Sequence, residues 1–233
     1  MSMKFFFVNL IYAMTLPLPA TTFMAGIIDL YESFIFYLII ILGYVTFFLI
    51  FSIYYFGYQE NKYMRKTSSF SHDLYLEFGW SILPSFVLIF ISIPSTALLY
   101  ASSTFIDPMF TIKIIGHQWF WSYEYRNSTN KMIKVESKAS KLNGPYLLSV
   151  NNSIQLPLKT NIRLLVSSVD VIHSWTIPAF GIKIDAVPGR LNEGLLRVEK
   201  LGVYRGQCSE LCGVGHGYMP IVINISALKL ENK

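Results

Sequence analysis

The sequence predicts a two-helix transmembrane hairpin followed by an all-β sandwich domain. Hydrophobic residues make up 53% of the 233 residues and charged residues only 14%, a balance that is typical of membrane proteins. Two charge-free runs long enough to cross a bilayer are followed by several short apolar runs separated by turn residues. We therefore expect three parts: a leader or N-terminal arm at 1–28, the transmembrane hairpin at 29–106 and the β domain at 107–233.

The N-terminal part has the pattern of a signal-like leader. Lys4 is followed by a charge-free stretch from 5 to 28, and a positive start before an apolar run is typical of such leaders. Pro17 and Pro19 would interrupt a helix within that stretch. We therefore favour a short leader or a peripheral arm over a third membrane span.

Two runs without charged side chains predict the membrane helices. They extend from Ser33 to Tyr58 and from Phe78 to Ile106, and about 20 apolar residues suffice to cross a bilayer. Pro84 and Pro94 lie in the second run, where a membrane helix tolerates them. The polar connection at 59–66 contains three basic residues, so the positive-inside rule places it on the matrix or cytoplasmic side.

The pattern changes to that of β-strands after the second run. Ile112 and Ile114 alternate, and Trp119 and Trp121 alternate on the opposite phase. The phase slips at Gly116, which predicts a β-bulge there. Further short apolar runs punctuated by turn residues indicate a β-sandwich or barrel; they cover 154–156, 162–166, 175–177, 195–198 and 221–225.

One stretch near the C-terminus predicts a metal site. Residues 208–220, CSELCGVGHGYMP, hold both cysteines of the chain, one of its four histidines and a methionine. Thiolate, imidazole and thioether together suit copper, and two cysteines four residues apart could each bridge two metal ions. Three alternate glycines allow the loop to turn sharply. A second imidazole must come from elsewhere, and His173 is the best candidate.

Other kinds of site explain this loop less well. A disulfide would give no role to the histidine and methionine on the same loop. A structural zinc site uses cysteine and histidine but not methionine. The spacing C-x-x-x-C also differs from the C-x-x-C-H of covalent haem attachment. We favour copper and keep the disulfide and zinc as alternatives.

The loop pattern C-S-E-L-C-G-x-x-H-x-x-M-P resembles the copper A loop of the cytochrome c oxidase subunit II family. The segments GHQWFWSYEY at 116–125 and DAVPGRLN at 185–192 add to a resemblance that covers about 24–226. It implies a cupredoxin-like Greek-key sandwich that carries two copper ions. It also implies that the chain accepts electrons from cytochrome c and passes them to haem in subunit I, where oxygen is reduced to water with proton pumping.

The resemblance also implies a role for individual residues. The two bridging thiolates, two imidazoles, one thioether and one backbone carbonyl around the copper ions would come from Cys208, Cys212, His173, His216, Met219 and Glu210. The side chain of Glu210 would bind a magnesium ion shared with subunit I. Trp119 would take up electrons from cytochrome c, and Glu77, in E-x-x-W, would lie near the mouth of a proton pathway. Asp185 and Arg190 would contact subunit I.

Expected partners are subunits I and III, accessory subunits, cytochrome c and the lipid bilayer, in the mitochondrial inner membrane with the β domain in the intermembrane space. A bacterial plasma membrane with a periplasmic β domain is the alternative. Basic residues are scattered, so no nucleic-acid partner is expected. Acidic residues that attract cytochrome c in the family are largely missing here, leaving Glu124, Glu136 and Asp170. We therefore expect Asp170 at the partner interface and weak electrostatic steering.

Three other classes of protein share parts of this pattern. Subunit II of quinol oxidases has the hairpin and the sandwich but lacks these cysteines. A membrane-anchored copper-delivery protein would predict a thioredoxin-like βαβ pattern and a single span. Nitrous-oxide reductase shares the copper loop but is a soluble enzyme with a large additional domain. The sequence favours the oxidase subunit over all three.

Overall fold

The computed structural model describes residues 16–56, 72–103, 107–126, 130–141 and 145–227. The chain forms two compact units, one made of Met1–Ile28 with Ala101–Lys233 and the other of Asp29–Tyr100. The predicted basic connection at 59–66 lies outside the described residues.

Two long helices, α1 (Thr22–Phe56) and α2 (Leu74–Ser103), carry the apolar runs. Each is long and apolar enough to cross a membrane, and no residue in the most apolar part of either is buried. At about 1.5 Å per residue, α1 is longer than the ~30 Å hydrocarbon core of a bilayer. The two predicted helices are confirmed.

The helix boundaries differ from those that the charges predicted. Helix α1 begins at Thr22 and continues through Asp29 and Glu32, because a helix tolerates single acidic residues at small cost. The expected start at Ser33 was therefore too late. Helix α2 begins after Asp73, whose Oδ1 accepts hydrogen bonds from two backbone N–H groups of the first turn, which is ordinary N-capping.

The β domain is a sandwich of two five-stranded sheets with the orders β3-β2-β1-β5-β8 and β4-β10-β9-β6-β7. Strands β1 and β5 are parallel, as are β4 and β10, and the other pairs are antiparallel. The strands are β1 (Phe110–His117), β2 (Phe120–Arg126), β3 (Met132–Ser137), β4 (Ile154–Pro157), β5 (Ile162–Ser168), β6 (His173–Ile177), β7 (Ile182–Ala186), β8 (Asn192–Leu196), β9 (Gly202–Cys208) and β10 (Pro220–Ser226).

Alternating apolar residues fill the space between the sheets. In β5, Ile162, Leu164 and Val166 are completely buried, as the period of two along a strand requires. Trp121 and Trp175 are the largest buried side chains, and burying about 200 Å² of each contributes roughly 5 kcal/mol. The indole N–H of Trp121 donates to the backbone carbonyl of Met219, at 3.3 Å, and so ties the core to the loop before β10.

The predicted bulge at Gly116 is wrong. Strands β1 and β2 pair without interruption from Ile112 opposite Tyr125 to His117 opposite Phe120. The change of phase arises because the chain reverses at Gln118 and Trp119, and a tight turn shifts the inside–outside pattern much as a bulge does. Trp119 therefore lies at the tip of a hairpin.

The segment before α1 and the first turn of α1 pack against the β domain. Ala20 donates its N–H to the carbonyl of Ala179 at 2.9 Å and accepts the N–H of Glu199 at 2.8 Å. The Thr21 hydroxyl donates to the carbonyl of Phe180 at 2.8 Å, and Met24 is buried. These residues form part of the β-domain core.

Candidate metal centre

The pairing of β6 with β9 brings distant residues together. Trp175 lies opposite Cys208 in this antiparallel pair, so His173, at the start of β6, comes close to the end of β9. The loop from Ser209 to Met219 then carries the remaining predicted ligands back to β10. A short 3-10 turn at His216–Tyr218 directs the last of them inward.

Five side chains converge there, as their donor atoms show. Cys208 Sγ lies 4.0 Å from Cys212 Sγ and 4.0 Å from His173 Nδ1. Cys212 Sγ lies 3.6 Å from His216 Nδ1 and 3.5 Å from Met219 Sδ. A disulfide would need about 2.05 Å between the sulfurs, and both cysteines are free thiols. The structure therefore contains no disulfide between these cysteines.

A backbone oxygen completes the group. The carbonyl of Glu210 lies 3.3 Å from Cys208 Sγ, while the Glu210 side chain is exposed. The His173 imidazole is fully buried, and Cys208, Cys212 and Met219 are each less than a tenth exposed. These four side chains thus face an interior that excludes bulk water.

The two thiols differ in acidity. Burial opposes ionisation of Cys208, but hydrogen bonds with His173 and with the backbone at Ser174 and Glu210 outweigh it and lower its pKa to about 6. Burial and the nearby charge of Cys208 raise the pKa of Cys212 to about 12. Ionisation of Cys208 therefore opposes ionisation of Cys212. A metal cation would allow both thiols to ionise, because coordinated thiols are deprotonated outright.

The donor set fits copper better than zinc. A structural zinc site takes four cysteine or histidine ligands in a tetrahedron, which would leave the Met219 thioether unused although it lies against Cys212. Soft thiolate and thioether donors combined with imidazole are typical of copper sites. Two sulfurs 4.0 Å apart, each with an imidazole nearby, fit a pair of ions.

Trp119 lies over the loop at the domain surface. Its indole N–H and the Gln118 side-chain amide both donate to the carbonyl of Cys212, at 3.3 and 2.9 Å. The indole is 39% exposed. Gly213 and Gly215 face the ring so closely that a Cβ at Gly215 would overlap it, so the loop glycines here provide space for the indole.

Asp170 lies between the hairpin tip and His173. Its Oδ2 accepts the backbone N–H of Gln118 at 2.6 Å, and its Oδ1 lies 2.8 Å from His173 Nε2. Partial burial opposes its charge, but hydrogen bonds from His173 and from the N–H groups of Val171 and Gln118 lower its pKa. Burial of His173 is likewise outweighed by Cys208 and Asp170, which raise its pKa.

Known proteins match both units. The family described as cytochrome c oxidase subunit II, periplasmic domain, matches residues 110–226, and its transmembrane domain matches residues 9–98. The chain belongs to the cytochrome c oxidase subunit II family. The predicted cupredoxin-like sandwich and the family resemblance are thereby confirmed, and two long apolar helices in this family make it a membrane protein.

Individual subunit II relatives are similar over most of their length. Cytochrome c oxidase subunit 2 of Oenothera berteroana is 44% identical over 91% of this chain and 85% of its own. The Cyanidium caldarium protein of the same name is 45% identical over 88% and 82%. The crystal structure of the periplasmic domain of subunit II of cytochrome oxidase from Bradyrhizobium japonicum is 44% identical, with a TM-score of 0.50 over 53% of this chain and 88% of that domain.

The remaining predicted residues of this subunit II chain are not among the converging donors. Asp185 is on β7, paired with Lys183 at 2.9 Å, and Arg190 is exposed between β7 and β8. Glu77 lies in the first turn of α2, in the other compact unit. Sequence reasoning missed Gln118, whose position beside Trp119 in the 116–125 segment was the available signal.

Proposed function

We propose that this chain is the electron-accepting subunit of a cytochrome c oxidase. It takes electrons from cytochrome c at a binuclear copper A centre and passes them to haem in subunit I, where oxygen is reduced to water and protons are pumped. The observation that carries the proposal is the convergence of two free thiols, two imidazoles and a thioether, of which all but the His216 imidazole are buried. Oxygen chemistry itself belongs to subunit I.

Six residues of this chain would hold the ions. The donors would be the thiolates of Cys208 and Cys212, the imidazoles of His173 and His216, the thioether of Met219 and the backbone carbonyl of Glu210. A bound copper pair would supply one-electron chemistry. Exclusion of water by the surrounding core limits the reorganisation that accompanies each change of charge.

Trp119 is the residue that electrons reach first. It presents an exposed indole edge to a partner, and its N–H donates to the carbonyl of Cys212. A single hydrogen bond and the short covalent path within one cysteine therefore join the surface to a ligand sulfur. Packing of the ring on the loop glycines fixes this short route.

Other residues serve the partners of the complex. The exposed Glu210 carboxylate would bind magnesium together with subunit I, and Asp185 and Arg190 would contact the same subunit. Glu77 would mark the mouth of a proton pathway, so Glu77→Ala should slow proton-coupled reduction of the partner haem. Subunit III, accessory subunits and the bilayer complete the environment.

The proposed location is the mitochondrial inner membrane, with the β domain in the intermembrane space. A bacterial plasma membrane with a periplasmic β domain is the alternative. Support for the first comes from relatives such as the Glycine max protein named as mitochondrial, 42% identical over 90% of this chain and 55% of its own length. Cell fractionation, with detection of the labelled chain in the mitochondrial or the plasma-membrane fraction, distinguishes the two.

Metal analysis of the purified oxidase tests the function. We expect two copper ions in this subunit and an electron-spin resonance spectrum of one unpaired electron shared by both ions. Cys212→Ser should abolish that spectrum, because a hydroxyl is a poor substitute for a bridging thiolate. One metal ion per subunit, or zinc in its place, would contradict the proposal.

A further inference from the structure

Trp121 is a buried side chain that contacts the metal centre from the opposite sheet. It belongs to β2, whereas His173 and Cys208 belong to strands of the other sheet. Its ring packs edge-on against the His173 imidazole, with the ring centroids 5.9 Å apart and an angle of 64° between the ring planes. This contact therefore crosses the core of the sandwich to reach a donor residue.

The Trp121 indole also contacts the end of the metal-binding loop. Its N–H donates to the backbone carbonyl of Met219 at 3.3 Å, and the Met219 thioether lies 3.5 Å from Cys212 Sγ. A buried indole N–H usually finds a hydrogen-bond partner, but here that partner belongs to a donor residue. One side chain thus contacts a donor on β6 and a second donor just before β10.

Gly116 leaves room for the His173 ring beside Trp121. The two residues lie opposite each other in the antiparallel pair of β1 and β2. A Cβ at Gly116 would lie 2.8 Å from Cδ2 of His173, which is closer than a side chain approaches, and the imidazole is fully buried. We call Gly116 and Trp121 the inner wall of the site, because together they bound the space that the imidazole occupies.

We infer that the inner wall positions two of the donors, with Trp121 as its principal positioning residue. Its N–H fixes the main chain of Met219, and its ring edge, with Gly116, fixes the plane of His173. Donors keep a productive geometry when the side chains around them are themselves locked by packing, and a weak thioether ligand tunes the reduction potential of a copper site. This inference rests on the proposed copper function.

Trp121→Phe in the assembled oxidase tests the inference. It keeps an aromatic ring beside His173 but removes the N–H that binds the Met219 carbonyl. We expect the copper reduction potential and hyperfine pattern to shift, and copper to be lost to a chelator about 10–100-fold more readily, the usual cost of removing an outer partner. Maximal turnover should fall while KM for cytochrome c stays constant, because Trp121 has no exposed surface for docking.

Tyr123→Phe is the matched control. It also removes a buried hydrogen bond from β2, that of the Trp175 indole N–H with the Tyr123 hydroxyl at 3.4 Å, and Tyr123 is not among the converging donors. It should lower the stability of the domain but leave the copper reduction potential, hyperfine pattern and chelator resistance at their wild-type values.

The outcomes distinguish positioning from simple filling of the core. If Trp121→Phe keeps the wild-type potential, hyperfine pattern and chelator resistance, or if Tyr123→Phe changes them equally, the inference is overturned. If Trp121→Phe does not assemble, Gly116→Ala decides: it crowds His173 from the same inner wall, so an altered hyperfine pattern supports the inference and a wild-type pattern overturns it. A wild-type oxidase without paired copper would instead overturn the proposed function.

Discussion

The two histidines of the site are held by different means. His173 begins a strand, is fully buried and has its outer nitrogen fixed by Asp170. His216 belongs to a short turn inside a glycine-containing loop and is only partly buried. The side of the site that carries His173, the strand side, is thus held by the β-sandwich. The side that carries His216, the loop side, is held by the backbone of the loop itself. A site built in this way is prearranged on one side and adjustable on the other.

Removing each imidazole in turn should expose that difference. His173→Gly and His216→Gly should both abolish the paired-copper spectrum, with at least about a 100-fold loss of turnover, since direct ligands exceed the 10–100-fold effect of outer partners. Added free imidazole should restore the spectrum in His216→Gly, where solvent reaches the vacated space, but not in His173→Gly. Equal rescue of both variants would remove the distinction.

Trp119 supports the loop side from outside, and its replacement has the next largest expected effect. Trp119→Phe keeps an aromatic ring on the loop but loses the N–H that donates to the Cys212 carbonyl. Electron uptake from cytochrome c should fall by up to about 100-fold, comparable with misplacing a reacting group by 1 Å. Stopped-flow reduction measures this, with copper content as the control that should not change.

Two glycines of the same loop give a smaller, matched comparison. A methyl group on Gly215 would overlap the Trp119 ring, whereas one on Gly217 would meet nothing within 4 Å. Gly215→Ala should therefore displace the indole and slow electron uptake roughly tenfold, which is less than the roughly 100-fold effect of misplacing a reacting group by 1 Å. Gly217→Ala should behave as wild type. Similar rates in both variants would show that ring packing does not matter.

The smallest effect concerns the outer charges. Glu124 pairs with Lys113 and Lys134 at 3.7 and 3.6 Å, and Glu136 pairs with Lys138, so these carboxylates are partly neutralised. Turnover should vary little between about 0.01 and 0.15 M salt, although the screening length falls from ~30 to ~8 Å. Glu124→Gln should change docking by less than about 1 kcal/mol. A steep decline of turnover with salt would contradict weak steering.

The sequence predicted the features that local residue patterns determine, and it missed those that depend on contacts between distant parts of the chain. Long charge-free runs gave both helices, and the residue types of the loop gave a set of donors that the structure brings together. The start of α1 was misplaced because the helix continues through Asp29 and Glu32 to residues such as Met24, which is buried against the β domain. The hairpin at Gln118 and its hydrogen bond to Asp170 depend on pairing with distant residues, which no spacing reveals.

The attachment of Ala20 to the β domain limits how far this chain can be shortened from its amino end without loss of contacts within the domain. Its main-chain N–H and carbonyl bridge Ala179 and Glu199, and Met24 fills a space beside Gly181. A cut on the carboxyl side of Ala20 would remove these hydrogen bonds, whereas a cut on the amino side of Pro19 would keep them. A product starting at residue 29 would lack the hydrogen bonds of Ala20 and Thr21 and the buried Met24 side chain. The apolar surface that these residues cover would then be exposed.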